Sequence, residues 1–226
     1  AVELRADRVA QTFTKGFFAG PLNNLCVVGS ECAGFLQRVP TSSVTMIYVN
    51  HPEPPTQTFG SEHYFDVKSF LGENTPEPGH ILHSKTLTEI ARILKSEGNG
   101  CFVCVTDNYS YARLIGATLQ KVMLEGQQLN QKTLDHIGGF AVQDKLPSCS
   151  IPGKGVAPPI NIYSGHPCKE IGHTADNSIY QGQGATYFDR LWRTGAGNHA
   201  SRKTRYVIMM DTSKRATSSG SKTYFD

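Results

Sequence analysis

Charge is scarce in this chain: Asp, Glu, Lys and Arg supply 18% of 226 residues, against about 25% in ordinary globular domains. There is one tryptophan, and the six cysteines are too sparse and too irregularly spaced for a small disulfide-stapled scaffold. No apolar run approaches the ~20 residues that a membrane-spanning helix needs, and the first residues do not read as a secretory leader. Gly 22 and Pro 12 stay below the share seen in low-complexity chains. A membrane-spanning protein and a disulfide scaffold are thereby excluded. The expectation is an intracellular protein, in the cytoplasm, nucleus or mitochondrion, with one full-sized core.

The net charge of +3 is modest but unevenly distributed. Arg190, Arg193, Arg202, Lys203, Arg205, Lys214 and Arg215 are opposed over that stretch by the single acid Asp211. A basic segment of this kind suits contact with phosphates. The plainer alternative is a solvated tail.

Along the chain, apolar runs alternate with amphipathic stretches. Val2–Leu4, Leu25–Val28, Val44–Val49, Cys101–Val105 and Tyr206–Met210 read as strands, the last antiparallel at or near an edge. Residues 5–11 have a helical pattern, and Cys32–Leu36 suits a short helix. Leu87, Ile90, Ala91 and Leu94 form one helical stripe, and Leu114, Ile115, Thr118, Leu119 and Val122 form another. This order predicts an α/β fold with a mainly parallel sheet and helices on both faces. Residues 1–210 then form a single domain, with a long insertion at about 56–80 and an irregular region at about 145–183, before a flexible tail over 211–226.

Metal ligation is not expected. Cys101 and Cys104 have C-x-x-C spacing, but on a strand those positions face opposite sides, which suits buried core thiols. His166, Cys168 and His173, with Cys149, lie in a loop-rich stretch, but their spacing matches no zinc signature.

Several segments, taken in order, resemble the tRNA (guanine-N7) methyltransferase family, class I enzymes that use S-adenosylmethionine. Ala1-Val2-Glu3-Leu4-Arg5 is similar to the family's second strand, and Asn24–Leu36 to its third strand and adenine-contacting turn. Ile47-Tyr48-Val49-Asn50-His51-Pro52-Glu53-Pro54-Pro55 resembles the fourth strand and its Pro-Asp-Pro-Trp loop. Thr106-Asp107-Asn108-Tyr109-Ser110-Tyr111-Ala112 resembles the Thr-Asp-x-x-x-Tyr-Ala segment, and Thr186-Tyr187-Phe188-Asp189-Arg190 the Thr-x-Phe-Glu motif.

The resemblance implies a Rossmann-like class I methyltransferase sheet. It nominates Glu3, Glu31 and Asn50 for the cofactor, and Glu53, Asp107, Thr186 and Asp189, with Thr106, for the target base. Tyr109, Tyr111, Tyr187, Phe188 and Trp192 flank these positions, where aromatic rings stack on bases or pack a core. Two departures accompany the resemblance. The family's first strand and glycine-rich cofactor loop are expected to be missing from this chain. The active loop carries Glu53 for Asp and Pro55 for Trp, and the basic run that should follow is replaced by Thr56–His63.

The expectation is therefore an RNA-binding or scaffolding protein (tRNA or rRNA) with a degenerate, non-catalytic methyltransferase-like fold in a larger ribonucleoprotein. A protein partner would complete the sheet, RNA would meet Arg190, Arg193, Arg202, Lys203 and Arg205, and the isolated chain would bind no cofactor. The alternative is an active S-adenosylmethionine-dependent tRNA (guanine-N7) methyltransferase whose cofactor-binding strand is omitted from this chain or supplied by another.

Overall fold

The computed structural model describes residues 2–3, 6–18, 24–55, 77–151, 153–165 and 205–212. Two short strands, β1 (Val2–Glu3) and β2 (Val28–Gly29), pair in parallel around helix α1 (Ala6–Phe18), and α2 (Cys32–Leu36) follows. Next come β3 (Met46–Asn50), α3 (Ser84–Ile93), β4 (Cys101–Thr106) and α4 (Tyr109–Leu124). The remaining strands are β5 (Asn130–Gln131), β6 (Ala141–Leu146), β7 (Cys149–Ile151), β8 (Gly155–Ala157), β9 (Ile160–Ser164) and β10 (Tyr206–Asp211).

The larger sheet has the order β3-β4-β10-β9-β6, with β5 beside the far end of β10. The fold is α/β, but the sheet is mixed. Only β3 and β4 pair in parallel, whereas the β10–β4, β10–β5, β10–β9 and β6–β9 pairings are antiparallel. The expectation of a mainly parallel sheet is corrected by β10. It runs against β4 from Tyr206↔Thr106 to Asp211↔Cys101, in the interior of the sheet rather than at an edge. Its other side is shared by β9, which pairs with Tyr206 and Val207, and β5, which pairs with Met210 and Asp211. Between those two strands the Gln131 side-chain amide imitates a backbone. It donates to Asn161 O at 2.5 Å and accepts from Asn161 N–H at 2.7 Å.

Alternation along the strands separates two buried clusters. Phe102, Cys104, Ile208 and Met210, with the half-buried Ile47 and Val49, join Leu87, Ile90 and Ile93 of α3 and Leu114, Ile115, Leu119 and Val122 of α4. Val103, Val105, Val207 and Met209 point the other way, onto Leu134, Tyr163, Ile137 and Phe140. Among the described residues no helix residue joins this second cluster, so the expectation of helices on both faces is met on one face only. Continuous burial on both sides explains why β4 reads Cys-Phe-Val-Cys-Val without alternation. Cys101 and Cys104 do face opposite sides, Cys101 against the second cluster and Cys104 within the first.

Connections anchor these layers. Arg92, near the end of α3, donates to Leu36 O at 2.9 Å and Val39 O at 3.0 Å, and pairs with Glu89 at 2.7 Å. That guanidinium ties the exit of α2 to α3. Gly116 of α4 lies so close to Leu146 of β6 that an added Cβ would sit 2.6 Å from Leu146 Cδ1. Strand β2 is shorter than the expected Leu25–Val28 run, and Val44 contributes only an isolated bridge to Leu94. The stretch expected to be irregular from residue 145 contains the β7–β8 hairpin and β9, with Gly153 and Gly155 at φ of 78° and 93° making the turn. Asp211 still belongs to β10, and Thr212 is buried, its hydroxyl 2.5 Å from Lys95 O.

Helix α1 has no buried residue. Phe13, Phe17 and Phe18 are 65%, 70% and 80% exposed. Among the described residues β1 pairs only with β2, and β3 only with β4 apart from the Val44–Leu94 bridge.

Candidate functional site at the carboxyl edge of the sheet

In α/β sheets ligands gather outside the carboxyl ends of the parallel strands. Here that edge is formed by the ends of β3 and β4 and, because β10 is antiparallel, by the start of β10. Asn50 ends β3 opposite Val105, and the His51 N–H donates to Val105 O at 2.7 Å. His51 has φ of 49°, a left-handed conformation that is strained for a residue with a Cβ. Its ring is 4% exposed, with Nδ1 3.7 Å from Asp107 Oδ1, an ion-pair distance when the imidazole is protonated. Thr106 faces Tyr206 in the register, and Arg205, 4% exposed, precedes it.

The cap of α4 is Asn108. Asn108 Oδ1 accepts from Tyr111 N–H at 2.9 Å, and its own N–H donates to Thr106 Oγ1 at 3.2 Å. Asp107 is left for His51. The first turn of α4 sends its two tyrosines to different places. Tyr111 is fully buried, with its hydroxyl 3.2 Å from His80 Nδ1. Tyr109 is half-buried, its ring 5.3 Å from that of Tyr206. The Tyr109 hydroxyl donates to Asp144 Oδ2 at 2.8 Å, and Arg113 pairs with the same oxygen. The bulge between Val142 and Asp144 shifts the register of β6 there and turns this carboxylate toward α4.

Of the nominated base-binding residues, Asp107 lies in this crevice. Glu53, just beyond β3, is exposed and makes no hydrogen bond or ion pair among the described residues. Thr186 and Asp189, like Arg190, Arg193, Arg202 and Lys203, lie outside the described residues. So do His166, Cys168 and His173. Among the described residues no group of His, Cys, Asp and Glu is arranged to hold a metal ion.

The nominated cofactor residues are not gathered into one polar pocket. Glu3, at the end of β1, has Oε2 3.9 Å from an Arg8 nitrogen. Glu31 spends both carboxylate oxygens on the N-terminus of α2, accepting from Ala33 N–H and Gly34 N–H at 2.7 Å each. Those two amides, Gly34 foremost, hold its carboxyl below the usual range. The hollow beside β2, about 400 Å³, is lined by Ala6, Val9, Ala10, Phe13, Val27 and Gly29, none with a polar side chain. Glu3, Glu31 and Asn50 are not among its lining residues.

No protein-family model matches the chain, and no curated protein matches it.

The edge also holds residues that pattern reasoning passed over. His51 stood in a proline-rich run, and its strained backbone has no sequence signature. Glu77 and His80 fall within the expected insertion at about 56–80, yet Glu77 reaches the first turn of α3 and His80 the first turn of α4. Arg205 was grouped with surface cations by charge alone, and nothing local to it announces burial.

Proposed function

We propose that this chain is an RNA-binding or scaffolding protein built on a tRNA (guanine-N7) methyltransferase-like fold, degenerate and non-catalytic, and working inside a larger ribonucleoprotein. The observation that carries the reading is the division of its strands. A doubly wound sheet has the order 3-2-1-4-5. The pairs formed here, β2-β1 and β3-β4, are those that would flank the first strand of such a sheet. Among the described residues β1 pairs with β2 and β3 with β4, a division that supports the resemblance to the second through fifth strands.

A further apolar strand beside β1 and β3, which we assign to a protein partner, would extend both pairs. It would also cover Phe13, Phe17 and Phe18, a patch that favours a protein contact over solvent. A non-catalytic role is supported by Glu53, which stands exposed, and by Glu31, whose oxygens are committed to α2. The RNA contact falls to Arg190, Arg193, Arg202 and Lys203. Arg205, being buried, is better suited to hold the head of β10 than to meet a phosphate.

The second reading, an active tRNA (guanine-N7) methyltransferase completed by another segment, is favoured by one observation: Thr106, Asp107 and Asn108 stand together at the carboxyl edge beside His51. Two titrations test the proposal. Filter binding of tRNA and rRNA fragments across 50–300 mM salt should give a steep slope, of roughly −0.7 to −0.9 per phosphate contacted. Changing Arg202 and Lys203 to Ala should flatten it by one to two units. No RNA binding, or an unchanged slope, overturns the RNA reading. Calorimetry with S-adenosylmethionine should give no micromolar binding by this chain, and micromolar binding would favour the active enzyme.

A further inference from the structure

The first turn of α3 holds a carboxylate among groups that all donate. The Ser84 N–H donates to Glu77 Oε1 at 2.6 Å, and the Ser84 hydroxyl donates to Glu77 Oε2 at 2.5 Å. His80, with a fully buried side chain, brings Nε2 to 3.9 Å from Glu77 Oε1. That nitrogen has no hydrogen-bond partner among the described residues.

The hydrogen-bond chain behind the ring decides what Nε2 presents. The Tyr111 hydroxyl is fully buried, and a buried O–H is satisfied by donating to an acceptor within reach. The hydroxyl's own proton is then directed to His80 Nδ1, 3.2 Å away. With Nδ1 accepting, the neutral ring carries its proton on Nε2. Three donors therefore converge: the Ser84 N–H, the Ser84 O–H and the His80 Nε2–H.

This arrangement is not an ordinary cap. The residue in the cap position, His83, makes no side-chain capping bond, and its ring lies 3.2 Å from Thr86 Oγ1. The cap comes from a carboxylate seven residues upstream of Ser84. A planar carboxylate reaches two of the donors and leaves the third beyond hydrogen-bond distance. A tetrahedral oxoanion is larger, has a further oxygen to offer, and matches the positive end of a ten-residue helix. The site lies on the carboxyl edge of the sheet, because α3 runs back from that edge to place Leu94 beside Val44, ahead of β3. His83 is the other ionisable group that acts on His80, and it also faces Glu31 at the start of α2.

We propose that Ser84 and His80 form a phosphate-binding site at the N-terminus of α3, which the chain's own Glu77 carboxylate occupies until a phosphate group displaces it. The proposal stands apart from the RNA-binding reading, since the phosphate can belong to a nucleotide, to free phosphate or to an RNA backbone.

The test uses the full chain and its Glu77→Ala variant, melted in inorganic phosphate, in a nucleoside monophosphate and with a short single-stranded RNA, against chloride at equal ionic strength. Glu77→Ala should gain about 3–6 °C at ten times the dissociation constant of the bound phosphate species. The unchanged chain should bind at least tenfold more weakly. A response to phosphate or the mononucleotide assigns a small-molecule source, and a response to RNA alone assigns the backbone. A Glu77→Ala chain that responds to none of the three overturns the proposal. So does a response that survives the added His80→Phe change, because the ion then binds elsewhere. If Glu77→Ala does not fold, Glu77→Gln keeps an acceptor for the Ser84 N–H without the charge. It should bind phosphate at least threefold more tightly than the unchanged chain, and equal binding overturns the site.

Discussion

Replacing His80 should remove much of the acid sensitivity of this fold. Burial pulls the His80 imidazole from 6.5 down to about 4, and His83 adds to the drop while Glu77 opposes it. In the unfolded chain the same ring titrates near 6.5. Between those two values the unfolded state binds the proton and the folded state does not, so stability falls as pH falls through 6.5 and levels off below about 4. The gap of roughly 2.5 units corresponds to about 3 kcal/mol at 1.36 kcal/mol per unit. Most of it, about 2 to 3 kcal/mol, is lost between pH 7 and pH 4.5. Urea unfolding at those two pH values, on the unchanged chain and on His80→Gln, isolates the contribution. The variant should be less stable at pH 7, having lost its contact with Tyr111, but its loss between the two pH values should be smaller by about 2 kcal/mol. Equal losses in the two proteins would refute the assignment of a buried, neutral His80.

Three further outcomes follow from the geometry. Arg92→Ala should cost about 1–3 kcal/mol in chemical unfolding, since Leu36 O and Val39 O lose a charged donor, and Arg92→Lys should recover little because an ammonium cannot span both carbonyls. Gly100→Ala should destabilise by about 1–3 kcal/mol, because the new Cβ would stand 2.4 Å from Lys95 O, a backbone atom with no rotamer to yield; an unchanged urea midpoint would show that the turn relaxes. In thiol titration of the folded chain, exposed Cys26 should react promptly, whereas Cys104, whose thiol burial pushes well up, should react only on unfolding; prompt labelling of both would contradict the packing of β4.

The parts of the fold that were legible in sequence are those whose burial is decided locally. Phe102-Val103-Cys104-Val105 is apolar on both faces and reads as an interior strand, and the stripe at Leu87 and Ile90 reads as a one-sided helix. The parts that were not legible depend on distant partners. Ala-Val-Gln-Asp-Lys-Leu becomes β6 because β9 pairs with it, although its own residues have weak strand character. The position of Tyr206–Asp211 inside the sheet follows from what lies on either side, not from its composition. At the candidate site Asp107 was visible through its neighbours Thr106 and Asn108. The roles of His51, Glu77 and His80 required knowing which side chains approach across the carboxyl edge, and no spacing rule conveys that.

The interior position of β10 has a consequence for how the protein is made. Tyr206–Asp211 emerges from the ribosome about 100 residues after β4, to which it must bond directly. At about 5–20 residues per second, β4 waits on the order of 5–20 seconds with one side of its backbone unsatisfied and its valines and phenylalanine exposed. During that interval Val103 and Val105 form an adhesive edge of the kind that recruits a neighbouring chain or a chaperone. Chains interrupted anywhere before residue 206 should therefore lose more than a terminus. Those interrupted after Leu124 would retain α3 and α4 in sequence, yet lack the strand that joins the two halves of the sheet, and the predicted fate of such fragments is aggregation rather than partial function.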